Sequence, residues 1–463
     1  MNPYPSNNLY NFGAGGETIV SPLVLVGMLL AGLLIFSLPR KYVIWAYLVP
    51  SILIPLGQVI MVGALHIRMV QILTLVVIVR LLKDGFSGPR IEKNSLDRAF
   101  VLWAISFAVI FMLRLQSSGA VINQLRGLFD TVGMYCVLRF LIRDEEDVCR
   151  TIRVFVVICC ILAVLMTIER VTGRNPFAIL GGVRQFSEVR NGIVRAQGPF
   201  EQEIPAGVFG ATLIPLFVGL WAWNRKGRYL AVLGIVAALT IAITSASSTP
   251  VMAIAGAIVA FSLWPLRRKM RFVRRGIVAT LLGLELVMKA NVWWLIARVD
   301  ATGSSTGWDR AALIDNTIHH FSEWWLLGTN NNANWGYDQW DLCNWIVAQA
   351  VQGGLLTLVL FLLVIVRGFQ RLGRARKAVK GDFRREFLIW AVGVALFSHI
   401  CSFFGTSYFD QTIVSWLTLL VMISAVTRIA KPRQTSQTAP VAFDGKELEL
   451  AGVGVAGERG VQL

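Results

Sequence analysis

Long apolar runs and short polar gaps alternate along most of this chain, and the runs share one length class. Segments near 19–38, 42–64, 65–82, 99–113, 121–141, 153–170, 204–223, 229–247, 250–266, 274–290, 344–366, 386–404 and 411–428 are predominantly apolar. Each is roughly the ~20 residues that cross ~30 Å of hydrocarbon as a helix. The pattern predicts an all-helical, polytopic membrane bundle of thirteen spans. Pro50, Pro55 and Gly57 interrupt the pair covering 42–82, so a broken or re-entrant segment there makes twelve spans the alternative. The periodicity ends at 428, where KPRQTSQTAP and a Gly/Val/Glu mixture follow. The expected organisation is a membrane domain over 1–428, with loops at 171–203 and 291–343, and a disordered cytoplasmic tail over 429–463.

Composition agrees with a bilayer as solvent. The 463 residues are 55% hydrophobic and 15% charged, whereas soluble domains carry about a quarter charged residues. The net charge of +17 is concentrated in NRKGR (224–228), LRRKMRFVRR (266–275), RGFQRLGRARKAVK (367–380) and RIAKPR (428–433). An even number of spans separates each from the next, so all four fall on the cytoplasmic side. The same parity puts 171–203 and 291–343 outside, with the N-terminus outside under the thirteen-span count. The first eighteen residues hold no Lys or Arg, so no basic n-region of a cleavable signal is present. These basic residues sit in short turns and not on one folded face, which argues against a nucleic-acid partner.

The six cysteines form no CxxC pair and no His/Cys zinc spacing. Four of them, Cys136, Cys159, Cys160 and Cys401, lie in apolar spans, where Cys is a small hydrophobe. Cys343 and Cys401 both fall toward the outer face, where a disulfide is one alternative. No P-loop or HExxH is present and no GxSxG serves a catalytic turn, so ATP-driven transport and soluble-type hydrolysis have no motif behind them.

The outer loops carry the candidate chemistry. Arg174, Arg184, Arg190 and Arg195 crowd into 171–203, on the side where short loops avoid arginine. Their planar forks suit a phosphate or other anion; the competing reading is pairing with Glu188, Glu201 and Glu203 of the same loop. From 291 to the next span lie eight of the fifteen tryptophans: Trp293, Trp294, Trp308, Trp324, Trp325, Trp335, Trp340 and Trp345. Interfacial belts account for some of these, but Trp308, Trp324 and Trp325 lie well inside the loop. STGWDRAALIDNTIHHF has helical spacing, with Ala312, Ile314 and Ile318 on an apolar side and Asp309, Arg310, Asp315 and His319 polar. Aromatic rings beside amides and acids suit carbohydrate. Within the spans, Arg126 and Asp130 share a helix face as a pair or brace, and His399 is expected to hydrogen-bond inside the bundle.

The order of RAQGPFEQEIPAG, TSASSTP, GWDRAALIDNTIHHFSEWWLLGT and DLCN resembles the bacterial O-antigen ligase and polysaccharide polymerase superfamily, best over roughly 190–370. That resemblance implies an inner-membrane helical bundle with a large periplasmic loop. It also implies metal-independent transfer of glycan from an undecaprenyl-diphosphate carrier to a glycan or lipid acceptor, with no cofactor. Arg195 in RAQGPF matches the family's arginine. Ser248 in SSTP stands where ligases have a second arginine in an SRG-like turn, and Cys343 in DLCN stands at their essential histidine.

Such chemistry needs a base for the acceptor hydroxyl and positive groups for the departing diphosphate. Asp341 is the expected base, with Cys343, His319 and His320 as alternatives. Arg195 is expected to stabilise the diphosphate, helped by Arg184, Arg190 and Arg310, with Trp308 and Asn344 contacting substrate. The competing reading of Asp341 and Asn344 is helix capping. The altered residues favour a polymerase over a ligase. A non-enzymatic polysaccharide flippase or exporter component is the second class.

Overall fold

A computed structural model describes residues 20–62, 65–84, 94–223, 225–298, 307–336 and 339–428. The first eighteen residues and the tail expected over 429–463 lie outside the described residues. Sixteen α-helices and two short antiparallel hairpins make up the regular structure among them. In chain order these are α1 (Pro22–Ser37), α2 (Arg40–Leu53), β1 (Val59–Val62), β2 (Leu65–Arg68), α3 (Met69–Lys83), α4 (Ser95–Leu115), α5 (Ser118–Leu128), α6 (Met134–Leu141) and α7 (Glu145–Thr172). There follow β3 (Glu188–Arg190), β4 (Ile193–Arg195), α8 (Glu203–Trp223), α9 (Arg228–Thr244), α10 (Ser248–Ser262) and α11 (Met270–Val287). The last group is α12 (Gly307–His319), α13 (Phe321–Trp324), α14 (Trp345–Ala378), α15 (Phe383–Phe403) and α16 (Gln411–Val426).

The chain is thus mostly helical, and five described helices (α4, α7, α8, α14 and α15) are long and apolar enough to cross a membrane. Helix α10 and the segment Trp264–Val287, bent by 70° to each other, make a sixth candidate as one broken span. Helices α1, α9 and α16 are apolar but shorter. The sequence pattern marks thirteen segments, and the difference lies in how the short and broken ones are built. Over 42–82, where two spans are expected, α2 carries Pro50 within it and stops at Leu53, just before Pro55, and the chain pairs β1 with β2 before α3. Over 121–141 the helix holds a π-turn at Phe129–Gly133 between α5 and α6.

Small residues let the spans approach closely, which is how helices associate where lipid removes the hydrophobic drive. A Cβ on Gly210 of α8 would stand 2.7 Å from the Ala238 carbonyl oxygen of α9. Around the start of α14, Trp345, Phe361, Phe403, Tyr408 and Trp416 form one aromatic cluster, with Trp345 stacked on Tyr408 at 4.8 Å.

The two ends of the bundle differ. One is laced by arginine–carboxylate pairs: Arg40 with Asp147 at 3.0 Å, Arg139 with Asp97 at 3.1 Å, Arg267 with Glu386 at 3.2 Å and Arg385 with Glu145 at 2.9 Å. This is the end where the charge pattern places the cytoplasm. The other end gathers 54–62, 172–203, 244–249, 307–336, 339–345 and 404–411, with Gln411 Nε2 donating to the Ile54 and Pro199 carbonyls at 3.4 and 2.9 Å.

Helix α14 is discontinuous. Gly354 has φ 68°, outside helical space, and a Cβ there would stand 2.6 Å from the Leu326 carbonyl oxygen. The loop after α13 fills the break: Leu355 N–H donates to the Trp325 carbonyl at 2.8 Å, and Thr329 N–H to the Val351 carbonyl at 2.8 Å. Arg114 of α4 adds Nη1 bonds to the Val351 and Gln352 carbonyls at 3.2 and 2.9 Å. The backbone groups released by the break are satisfied by protein, as an apolar surrounding requires.

Candidate functional site

The first part of the site is the β3–β4 hairpin. Asn191 and Gly192 both have positive φ, 51° and 74°, the combination a type I′ turn requires. Glu188 is thereby placed opposite Arg195. Glu169, in the last turn of α7, fixes the base of the hairpin. Its carboxylate accepts from Gln197 N–H at 3.0 Å, Gly198 N–H at 2.8 Å and Ser187 Oγ at 2.9 Å. Ala196 N–H then donates to the Thr244 carbonyl at 3.0 Å, tying the hairpin to the end of α9.

Arg195 is buried, and its Nη1 meets Glu188 Oε1 at 3.3 Å and Glu203 Oε1 at 2.5 Å. Two carboxylates face one guanidinium, so its charge is already offset. Arg184 stands 4.0 Å from Glu188 in the same cluster. The pairing reading of this loop therefore describes Arg195 and Arg184, while Arg190 is exposed and lies near Arg310.

The second part is centred on Arg310. The spacing of α12 suggested a polar side containing Asp309, Arg310, Asp315 and His319, yet Arg310 is on the buried face with Leu313 and Thr317. Ile318, expected on the apolar side, is half exposed. Ala312 is buried and Ile314 packs on the core as expected, and tertiary contacts explain why Arg310 also turns inward. Arg310 Nη2 donates to Thr249 Oγ1 at 3.1 Å, and its guanidinium lies beside the Cys343 thiol. No carboxylate forms an ion pair with it among the described residues. Its Nε is buried with no hydrogen-bond partner there. Burial pulls the Arg310 pKa below its ordinary value, against the opposing pull of Cys343.

Thr249 belongs to the SSTP turn and is held in turn by its own bond to the Gly405 carbonyl at 3.3 Å. Ala246, just before it, takes a left-handed φ of 45° without being glycine, a conformation that costs about 1–3 kcal/mol. Packing holds it: a Cβ on Gly207 would collide with the neighbouring Ser245 side chain at 2.2 Å. Arg310 thus arrives from α12 one residue away from Ser248, the position where the family resemblance expects an arginine on the turn itself.

The third part is DLCN. Asn344 is the helix cap, its Oδ1 accepting from Ile346 and Val347 N–H at 3.0 and 3.2 Å. Asp341 lies three positions earlier, is exposed, and does not cap the helix. The capping explanation covers Asn344 alone. Cys343 is pushed up to about 11 by burial first and by Asp341 second, with Arg310 opposing. It is a neutral thiol near pH 7, unsuited to act as the base. Ser407 Oγ donates to the Leu342 carbonyl, so the 404–410 loop holds DLCN from the other side.

The remaining candidates divide. Trp308 is 58% exposed beside Trp294, with ring centroids 5.9 Å apart. Trp324 and Trp335 are buried, donating to the Thr317 carbonyl at 2.7 Å and Glu323 at 3.0 Å. His319 contacts Asp315, and His320 pairs with Glu323 and stacks on Trp335. Cys343 and Cys401 are both free thiols. His399 bonds the Tyr408 hydroxyl at 2.8 Å.

Several functional-looking groups escape a sequence reading. Asp410 caps α16 through Oδ1, is fully buried, and is lifted to about 6 by burial, with Glu201 adding to the rise. Burial also raises Glu201, against Arg68 and Arg184. Asn-Gly at 191–192 was the available signal for the hairpin, and the lone acid of TIERVTG for the Glu169 anchor. Nothing local marks Thr249. No protein-family model matches the chain, and no curated protein matches it in sequence.

Proposed function

We propose that this protein is a bacterial inner-membrane glycosyltransferase of cell-surface polysaccharide synthesis, a divergent relative of the O-antigen ligases and polysaccharide polymerases. It builds exopolysaccharide or O-antigen from an undecaprenyl-diphosphate-linked glycan at the periplasmic face, in a bundle of twelve or thirteen crossings. Arg310 is the observation that carries this reading. It is a buried guanidinium with a hydroxyl and a thiol as neighbours and no ion-paired carboxylate among the described residues, and that thiol in turn feels the exposed Asp341.

A departing diphosphate is the anion such a group lacks. The acceptor hydroxyl attacks the anomeric carbon and passes its proton to Asp341. The bond from that carbon to the diphosphate oxygen breaks, and its electron pair leaves with the diphosphate. Arg310 stabilises that charge in a low-dielectric setting, and the exposed Arg190 assists. Cys343 stays protonated and packs beside Arg310. Arg195, offset by Glu188 and Glu203, holds the hairpin that presents Arg190. Trp308 offers a ring to a sugar face.

The test is reconstitution of the full chain in proteoliposomes with an undecaprenyl-diphosphate-linked repeat unit. Longer lipid-linked glycan and released undecaprenyl diphosphate are expected, and deletion in cells leaves single lipid-linked repeats accumulating. Movement of the carrier across the bilayer without new glycosidic bonds would replace this reading with a flippase or exporter component.

A further inference from the structure

The opposite end of the bundle holds a cavity that the proposed transfer does not use. It lies between α2, α3 and α6, has a volume of about 240 Å³, and is walled by Val43, Val77, Leu81 and Phe140 with Arg40 and Arg80. At ~30 Å³ per water, that is about eight waters, far more than a single ion needs. The two arginines are held from behind. Arg40 uses only Nη1 among the described residues, on the Phe140 and Leu141 carbonyls at 3.4 and 3.0 Å and on Asp147 at 3.0 Å. Arg80 uses Nε, on Asp84 at 3.3 Å, and Nη1, on the Ile35 carbonyl. The outer nitrogen of each fork has no hydrogen-bond partner among the described residues.

Acids are present as well, and the balance matters. Asp84 lines the cavity and Asp147 stands behind it. Arg150 also bonds Asp147, and Arg143 covers the Phe140 ring at 4.2 Å, so basic groups exceed acids at this mouth. Just outside, the helices turn apolar side chains outward: Leu33 of α1 is 67% exposed, Leu82 of α3 60% and Val79 47%. Such surfaces face lipid in a membrane bundle. A basic cavity with apolar walls at that depth, at the end the charge rule makes cytoplasmic, fits an anionic lipid head group.

We propose that this cavity binds the phosphate of an anionic phospholipid of the inner leaflet, with Arg40 and Arg80 as a two-sided clamp and the acyl chains lying along α1 and α3. The shared recognition chemistry is a phosphate ester, and the test separates lipid from free phosphate. The full chain, purified in detergent, is titrated with phosphatidylglycerol, phosphatidylcholine and inorganic phosphate. Bound lipid is counted by native mass spectrometry, and unfolding is followed by intrinsic fluorescence.

Phosphatidylglycerol is expected to bind and raise the melting temperature, with phosphatidylcholine at least tenfold weaker. Arg80→Gln is expected to weaken phosphatidylglycerol binding at least tenfold. Arg40→Gln removes bonds to two backbone carbonyls and can unfold this corner, so Val77→Phe is the second variant. It fills the cavity, keeps both charges, and is expected to abolish lipid retention. Unchanged phosphatidylglycerol binding in Arg80→Gln and Val77→Phe overturns the site. Saturation by inorganic phosphate with no further effect of phosphatidylglycerol overturns the lipid assignment.

Discussion

The hairpin Glu188–Arg195 and the helix Gly307–His319 each bury one arginine, in different company. Arg195 has carboxylates from its own neighbourhood in sequence, Glu188 across the turn and Glu203 at the start of α8. Arg310 has a threonine hydroxyl from a distant helix and a thiol, while the Nε of both arginines is buried without a hydrogen-bond partner among the described residues. A buried charge is costly unless it is paired. Arg195 meets that demand inside the fold, so its structural role is complete without a ligand. Arg310 forms no ion pair among the described residues, and a buried cation so placed is where an external anion gains most.

The strongest way to break this comparison is to disable the Arg310 side. Asp341→Asn keeps size but cannot accept a proton, and is expected to lower transfer by ~1,000-fold, within the range of a lost general base. Activity near wild type, assayed on equally expressed membrane protein, would remove Asp341 from the chemistry. Arg310→Lys retains charge but loses the planar fork, and a drop of ~100-fold in turnover is expected with insertion unchanged. If Arg310→Lys transfers glycan normally, the contrast with Arg195 carries no functional meaning.

The Arg195 side sharpens the contrast through stability. Arg195→Ala leaves Glu203 buried without its partner, a loss of about 3–5 kcal/mol, visible as a lower melting temperature in detergent. The double variant Arg195→Met with Glu203→Leu removes both charges. It is expected to recover most of that stability and to transfer within about fivefold of wild type, an allowance scaled to ~1 kcal/mol of residual repacking. A stable but inactive double variant would return the diphosphate role to Arg195.

Cys343 reports on the electrostatics around Arg310. Its thiol is held at about 11, so iodoacetamide labelling is expected to be slow at pH 8. Labelling should rise about tenfold per pH unit toward that value, following the thiolate fraction. Removing the neighbouring cation in Arg310→Ala is expected to slow labelling further at every pH. Faster labelling in that variant would mean the two groups do not face each other. The smallest effect belongs to Trp308→Ala, a rise of about threefold in KM for the sugar acceptor with turnover unchanged, as for one stacking contact.

Reading the chain recovers the solvent and loses the fine geometry, for identifiable reasons. Apolar run length marks the helices because hydrocarbon demands it, and the basic turns 266–275 and 367–380 do meet, Arg267 and Arg376 sharing Glu386. Asn344 was legible as a cap from its place before an apolar run. Pro50, Pro55 and Gly57 were legible as a break, though what fills it was not, whereas the break at Gly354 falls inside a segment read as one span over 344–366. The inward turn of Arg310 on α12 was not legible, because it faces inward only once Thr249 and Cys343 stand beside it. The hairpin's carboxylates were in view, but which acid meets which arginine depends on a register fixed by Asn191 and Gly192.

The break at Gly354 has a further consequence for the environment of the protein. A straight helix of 34 residues would run about 51 Å, well past a ~30 Å hydrocarbon core. Bent at Gly354, only the later part has to match the bilayer, and the earlier turns carry DLCN at an angle set by the docked 325–329 loop. The depth of Asp341 and Cys343 is therefore referenced to the membrane through that bend. A thicker bilayer pulls on the same joint that positions them, so lipid chain length becomes an input to the site with no change in any side chain.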